Sequence, residues 1–194
     1  SSSITNPAVR WASFKWKSKK LQDSTAANAW LEQAADRVFS ELQESDFYSE
    51  IGSYYGDWVR FCTACFIAEA KADAMLPAQW EGLDFKAPPI RECYYEPDYE
   101  GLVMRFWRLF SWTPSQILSK FGEGTPARIR DMAANPSQGS NRLKVVYAIY
   151  KREGVKEKRA PIAPDLRPVG YCYFLQETGE MLGEEGGFYE MPVY

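Results

Sequence analysis

Two consecutive stretches, Asp23–Ser45 and Phe47–Cys62, most limit what this chain can fold into, because both carry helical hydrophobic periodicity. In the first, Trp30, Leu31, Ala34, Ala35, Val38, Phe39 and Leu42 recur at i, i+1, i+4, i+5 spacing, which gathers them in one apolar stripe. Asp23 or Ser24 can cap its start, since a short oxygen side chain satisfies the free amides of a first helical turn. In the second, Phe47, Ile51, Tyr54, Tyr55, Trp58 and Cys62 repeat with the same period, and Asp46 stands where an N-cap belongs. A face that wide and that aromatic needs a large partner surface.

The later chain supplies one in strand-like segments. Residues 10–16, RWASFKW, alternate as a strand with Ala12, Phe14 and Trp16 on one face, followed by a polar loop. The stretch ACFIAEAKA reads as a strand. DAMLPAQWEG then loops into a second strand at Leu83–Ala87, which Pro88 and Pro89 interrupt before an extended IRECYYEPD. EPDYEG has turn chemistry, closing on Gly101. Leu102–Phe110 alternates most strongly, with Arg105 and Arg108 on opposite faces, so either both faces are covered or both arginines are paired. Thr113-Pro114 to Gly122 reads as a short helix with cap, proline and stop, and Thr125, Pro126 and Asn135 repeat the device. Leu143–Tyr150 is a strand, and residues 170–175 pair with MLGEEG across a hairpin at Glu177–Glu180. The fold class is α+β: one domain over residues 1–194, two N-terminal amphipathic helices packed on a largely antiparallel, partly mixed sheet with short helical insertions.

Composition removes several functions. At 45% hydrophobic and 15% aromatic the chain is not disordered in general, and a net charge of −3 sets up no strong field toward nucleic acid or anionic lipid. No apolar run approaches the roughly 20 residues needed to span a bilayer, and SSSITNPAVR lacks the charged start and apolar stretch of a signal peptide. One basic, aromatic-interleaved segment holds Lys15, Lys17, Lys19 and Lys20 with Trp11 and Trp16. It reads as a strand edge kept soluble by lysines, with phosphate contact and stacking as the alternative. A second cluster, Lys151, Arg152, Lys156, Lys158 and Arg159, lies in the three-proline segment KREGVKEKRAPIAPDLRPV, which reads as a loop either exposed and mobile or ordered only against a neighbour; nucleic-acid contact is the alternative to a solvated loop.

A catalytic apparatus is hard to assemble. With no histidine in the chain, Ser-His-Asp and Cys-His catalysis are excluded. GEG at 122–124 and GEEGG at 183–187 lack the context of a phosphate loop. Cys62 and Cys65 form a CxxC, but their apolar neighbours read as small buried hydrophobes at a helix-to-strand junction, not as a zinc or redox site, and Cys93 and Cys172 add no disulfide framework. Glu96, Asp98 and Glu100, or Glu184 and Glu185, could serve a glycosidase or a Ca²⁺ site, yet the first three lie in a Pro-Asp turn where solvated acids are ordinary. The reading is therefore no enzyme, no catalytic, cofactor-binding or metal residues, and no cofactor. An aromatic-rich carbohydrate- or nucleic-acid-binding module, suggested by 7 Trp, 12 Tyr and 11 Phe, is the alternative, although most of these rings fall at core periodicity.

The order of several motifs resembles the head-to-tail connector (portal) proteins of short-tailed phages. These are NPAVRWASFKW, a WL helix ending in SDFY, CTACFIAEA, the run PPIRECYYEPDYEGLVMRFWRLFSWTPSQILSKFG, and LKVVYAIYKRE with GYCYFLQETGEMLGEEGGFYEMPVY. Tyr147 precedes Ala148 where that pattern often shows His. The resemblance implies a structural virion protein, an internal piece of a longer subunit corresponding to its wing region. Such subunits form a ring of about twelve at one capsid vertex, the channel for DNA packaging and ejection. The implied partners are other subunits, capsid, terminase motor, tail proteins and phage DNA, with no membrane and with assembly in the host bacterial cytoplasm.

Overall fold

A computed structural model describes residues 5–71, 82–154 and 163–194. The described residues fall into two compact units, one of residues 5–71 with 82–87, the other of residues 88–154 with 163–194.

The N-terminal unit is built on the two expected helices. A short α1 (Lys19–Gln22) precedes α2 (Thr25–Glu44), and Ser24 is the residue that caps α2, its Oγ accepting from Ala27 N at 3.3 Å. The α2 stripe is narrower than its periodicity suggests: Ala35 and Leu42 are buried, whereas Trp30 and Val38 stay exposed. α3 (Phe47–Phe61) follows, ending at Cys62 in the left-handed conformation (φ 56°), a position where side chains other than Gly and Asn are uncommon. Asp46 does not cap α3. Its Oδ1 instead accepts from Phe85 N at 3.0 Å, and Glu50 Oε2 accepts from Ala87 N at 2.7 Å. Two carboxylates at the head of α3 thus hold the antiparallel pair β1 (Ile67–Ala70) and β2 (Leu83–Lys86). Lys86, on β2, reaches Glu69 at 2.9 Å and Asp84 at 2.6 Å. Burial pulls its pKa down, but the two carboxylates outweigh it and the net shift is upward. Leu42, Phe47, Phe66 and Phe85 form the core, with Trp11, Tyr48, Ile51, Tyr54 and Leu83 packed against it.

Residues 10–16 do not form the expected strand. Two indoles five residues apart set their path instead. Trp11 stacks on Phe47, meets Phe39 edge-on and donates from Nε1 to Tyr48 Oη at 3.2 Å, while Trp16 stacks on Trp30 at 5.8 Å. Phe14, expected on one strand face with Ala12 and Trp16, is exposed.

The C-terminal unit is a five-stranded meander, ordered β3 (Cys93–Pro97), β4 (Val103–Trp112), β5 (Leu143–Lys151), β6 (Val169–Leu175) and β7 (Met181–Phe188). Every strand pairing among the described residues is antiparallel, where a partly mixed sheet was expected. The β3–β4 turn forms as read: Gly101 takes φ 83°, and Asp98 Oδ1 accepts from Glu100 N and Leu102 N, both at 2.9 Å. Both β4 arginines are paired, Arg105 with Glu96 at 2.9 Å and Arg108 with Glu92 at 3.0 Å. Between β4 and β5, α4 (Pro114–Phe121) opens with a complete capping box of Thr113 and Gln116. α5 (Ala127–Ala134) does not repeat it. Pro126 occupies the N-cap, and Thr125, 2% exposed, donates its hydroxyl toward Ile117 O at 3.5 Å. Phe106, Ile117, Ile129, Val145, Ile149 and Leu182 are almost fully buried.

Candidate functional site

The sequence-selected groups are dispersed. Cys62 is exposed rather than buried, because it terminates α3, whereas Cys65 lies in the core; all four cysteines are free thiols. Cys93 directs its Sγ toward Pro89 O at 3.5 Å, and burial pushes the Cys172 thiol pKa up, aided by Glu185. Two of the four belong to each unit. Among the described residues no group of three or more His, Cys, Asp or Glu side chains is arranged to hold a metal ion. Glu96 is spent on Arg105, and Asp98 organises its turn and faces Lys151 at 3.7 Å, so two of these three acids have structural work, while Glu100 is exposed. Glu184 is exposed on β7, while its neighbour Glu185 enters an ion pair.

Among the described residues Arg152, which the sequence places in a solvated basic cluster, is a densely bonded polar group. Its side chain is only 12% exposed. Nη1 donates to Pro164 O at 3.0 Å and Arg167 O at 2.7 Å; Nη2 donates to Gly186 O at 3.0 Å and Glu185 Oε1 at 2.5 Å; Nε reaches the same carboxylate at 3.2 Å. Its own backbone N–H donates to Pro168 O at 2.8 Å. Arg152 therefore ties the end of β5 to the chain entering β6 and to β7. Of that cluster, Lys156, Lys158 and Arg159 lie outside the described residues, as do residues 155–162 of the expected loop and the tract DAMLPAQWE. The signal in sequence was the pair Gly186-Gly187. A Cβ at 186 would strike the Tyr171 ring, and one at 187 would strike Pro164 O and lie 3.0 Å from Arg152 Nη1.

Tyr150 completes the cluster by donating its hydroxyl to Glu185 Oε1 at 2.7 Å. Burial, then that carboxylate, pushes its pKa up from 10.0 to about 12, and the Tyr150 and Arg152 hydrogen bonds hold Glu185 below its ordinary value. A raised folded-state pKa favours the neutral phenol in the native protein. Its stabilisation is complete below pH 10 and disappears as pH rises toward about 12. The stability gap between wild type and Tyr150→Phe is accordingly expected to close across that window in urea unfolding at stepped pH. A gap constant through it would show that the phenol hydrogen bond is not the cause. The depressed Glu185 works oppositely: its contribution is present above the ordinary carboxylate value and is lost as pH falls through the folded one.

Two clefts lie among the described residues of the N-terminal unit. One cleft of about 100 Å³ lies among Glu41, Glu44, Ser45, Lys71, Gly82 and Leu83. Another of about 260 Å³ lies among Trp30, Gln33, Ala34 and Arg37. Both are smaller than the roughly 300–1,000 Å³ common for small-molecule sites. No helix of the described residues is long and apolar enough to cross a membrane.

Among the described residues the acids and arginines hold strands together and aromatic rings pack on one another, which is structural work; the class of the protein comes from its family. The chain belongs to the bacteriophage head to tail connecting proteins, whose family model matches residues 1–194. That family is structural and not enzymatic, and its role implies association with capsid and tail components at the head–tail junction of the virion. No curated protein matches the sequence.

Proposed function

We propose that residues 1–194 act as one wing-like domain of a portal subunit. About twelve such subunits close into a ring at a capsid vertex, as heterologous interfaces do when their rotation closes. The ring would be the channel through which phage DNA is packaged and ejected. It would dock the terminase motor during filling and hold the tail afterwards, after assembly in the host bacterial cytoplasm. The observation that carries this reading is the match of the whole chain to the head to tail connecting family. Engagement of the ion pairs and rings within each unit supports a scaffold, in which exposed rim charges set subunit register.

The 194-residue chain alone is expected to be monomeric or weakly associating in light scattering at micromolar concentration, because the family ring is closed mainly by a helical stem and neighbouring segments around the channel. The full-length subunit is expected to form closed rings visible by negative-stain microscopy. A full-length protein that stays monomeric would overturn the portal reading. A stable ring from residues 1–194 would move the assembly interface into them.

A further inference from the structure

Lys15, Lys17, Lys19 and Lys20 read in sequence as the shield of a strand edge. Shielding an edge requires a strand, and residues 11–16 form none. No acidic residue occurs between Thr5 and Gln22, and the one arginine there, Arg10, is occupied by Glu32 at 2.6 Å and by Asp36. The four lysines are exposed, and none has an ion-pair partner among the described residues. They are not on a loose tail. Trp11 seats the segment against Phe47 and Phe39, and Gln22 Nε2 donates to Trp16 O at 2.6 Å. The Trp16 ring stacks on Trp30, which remains 60% exposed. Beside Trp30 runs the 260 Å³ cleft walled by Gln33, Ala34 and Arg37, and Arg37 likewise has no ion-pair partner among the described residues. Phe14, within the lysine segment, is 47% exposed.

We propose that this surface binds nucleic acid: Lys15, Lys17, Lys19, Lys20 and Arg37 take the phosphate backbone, and Trp30 takes an unpaired base at the Gln33–Arg37 cleft. Four ammonium groups in six residues, uninterrupted by any acid, suit a partner whose charges are dense and of one sign, as phosphates are, more than a protein surface of mixed sign. An exposed indole beside side-chain donors accepts the face and edge of any base, so binding is independent of sequence. The net charge of −3 does not oppose it, because beyond roughly 8 Å at physiological salt the remaining acids are screened. The inference goes beyond the ring and does not rest on it: loss of the ring would leave this surface intact, and failure to bind would leave the ring reading untouched.

The test is fluorescence anisotropy of the 194-residue chain with a labelled single-stranded DNA of mixed sequence, with a duplex of the same sequence and polyglutamate as comparison probes. Single-stranded DNA is expected to bind at low salt. Replacing the four lysines with Gln should weaken it about tenfold or more and flatten the plot of log affinity against log salt by about 3. The Gln variant should keep its thermal midpoint, since exposed charges contribute little individually. Replacing the same lysines with Arg should retain both affinity and salt slope, which separates charge from damage to the fold. Trp30→Ala should cost about tenfold for the single strand and little for the duplex. No DNA binding at low salt, an unchanged salt slope in the Gln variant, or polyglutamate competing as well as DNA would each overturn the proposal. Equal single-strand affinity in Trp30→Ala would remove the base contact.

Discussion

Arg152→Met should lower the unfolding free energy by about 1–3 kcal/mol, because the change removes the guanidinium that joins three part-buried carbonyls and Glu185. The methionine fills much of the volume of the arginine stem, so the loss comes from the donors. Three part-buried backbone carbonyls, those of Pro164, Arg167 and Gly186, lose a donor, although Pro164 O keeps the Arg167 N–H at 3.4 Å; an acceptor left unsatisfied costs about 1–3 kcal/mol when buried and less here. Glu185, partly exposed, recovers some solvation and contributes less. Arg152→Lys should rescue only a minority of the loss, since one ammonium cannot reach the separate targets that a planar fork spans. Urea unfolding followed by near-ultraviolet circular dichroism measures both variants. A loss below about 1 kcal/mol for the methionine, or full rescue by lysine, would mean that β5, β6 and β7 are held by their ladder alone.

Elements whose stability is local were legible in the sequence. α2, α3, β4 and the β6–β7 hairpin follow from period and turn chemistry within a few residues, and the Thr113–Gln116 capping box could be read because all its partners lie within one helical turn. The misread positions are those where a distant group outcompeted a local one. Asp46 and Thr125 have the right chemistry to cap a helix, but the Asp46 carboxylate accepts from Phe85 N, and the Thr125 hydroxyl turns to donate to Ile117 O. Residues 10–16 alternate in hydrophobicity without being paired, because burial of Trp11 and stacking of Trp16 decide their course. Arg152 shows the limit most clearly. Five of its hydrogen bonds go to residues 12 to 34 positions away, so nothing beside it in the chain distinguishes it from its solvated neighbours. The connecting role was legible only as a resemblance over the whole chain: among the described residues, no cluster of chemistry-bearing side chains announces it.

Phe47→Ala should remove about 3–5 kcal/mol, as truncation of a large buried ring usually does. Phe47 is 8% exposed and is the hub of the N-terminal aromatic core. Its ring stacks on Trp11 at 6.0 Å and meets Tyr48 at 5.1 Å, Phe66 at 6.0 Å and Phe85 at 5.1 Å. The preceding residue, Asp46, bonds the backbone of Phe85, so the cavity opens where α3 is fastened to β2. Native domains hold only about 5–15 kcal/mol in reserve, so this single truncation would consume a large share of it. Phe47→Leu keeps a buried apolar side chain and should lose less than half as much. The effect should also reach the lysine segment. Trp11 loses its stacking partner, residues 12–20 lose one of two anchors, and the proposed nucleic-acid surface is no longer held in place. Phe47→Ala at low temperature, still folded by far-ultraviolet circular dichroism, is thus expected to bind single-stranded DNA with reduced affinity but an almost unchanged salt slope, because its lysines remain. A reduced slope would mean that Phe47 does more than position the segment, and a stability loss under about 1 kcal/mol would place the centre of this core elsewhere.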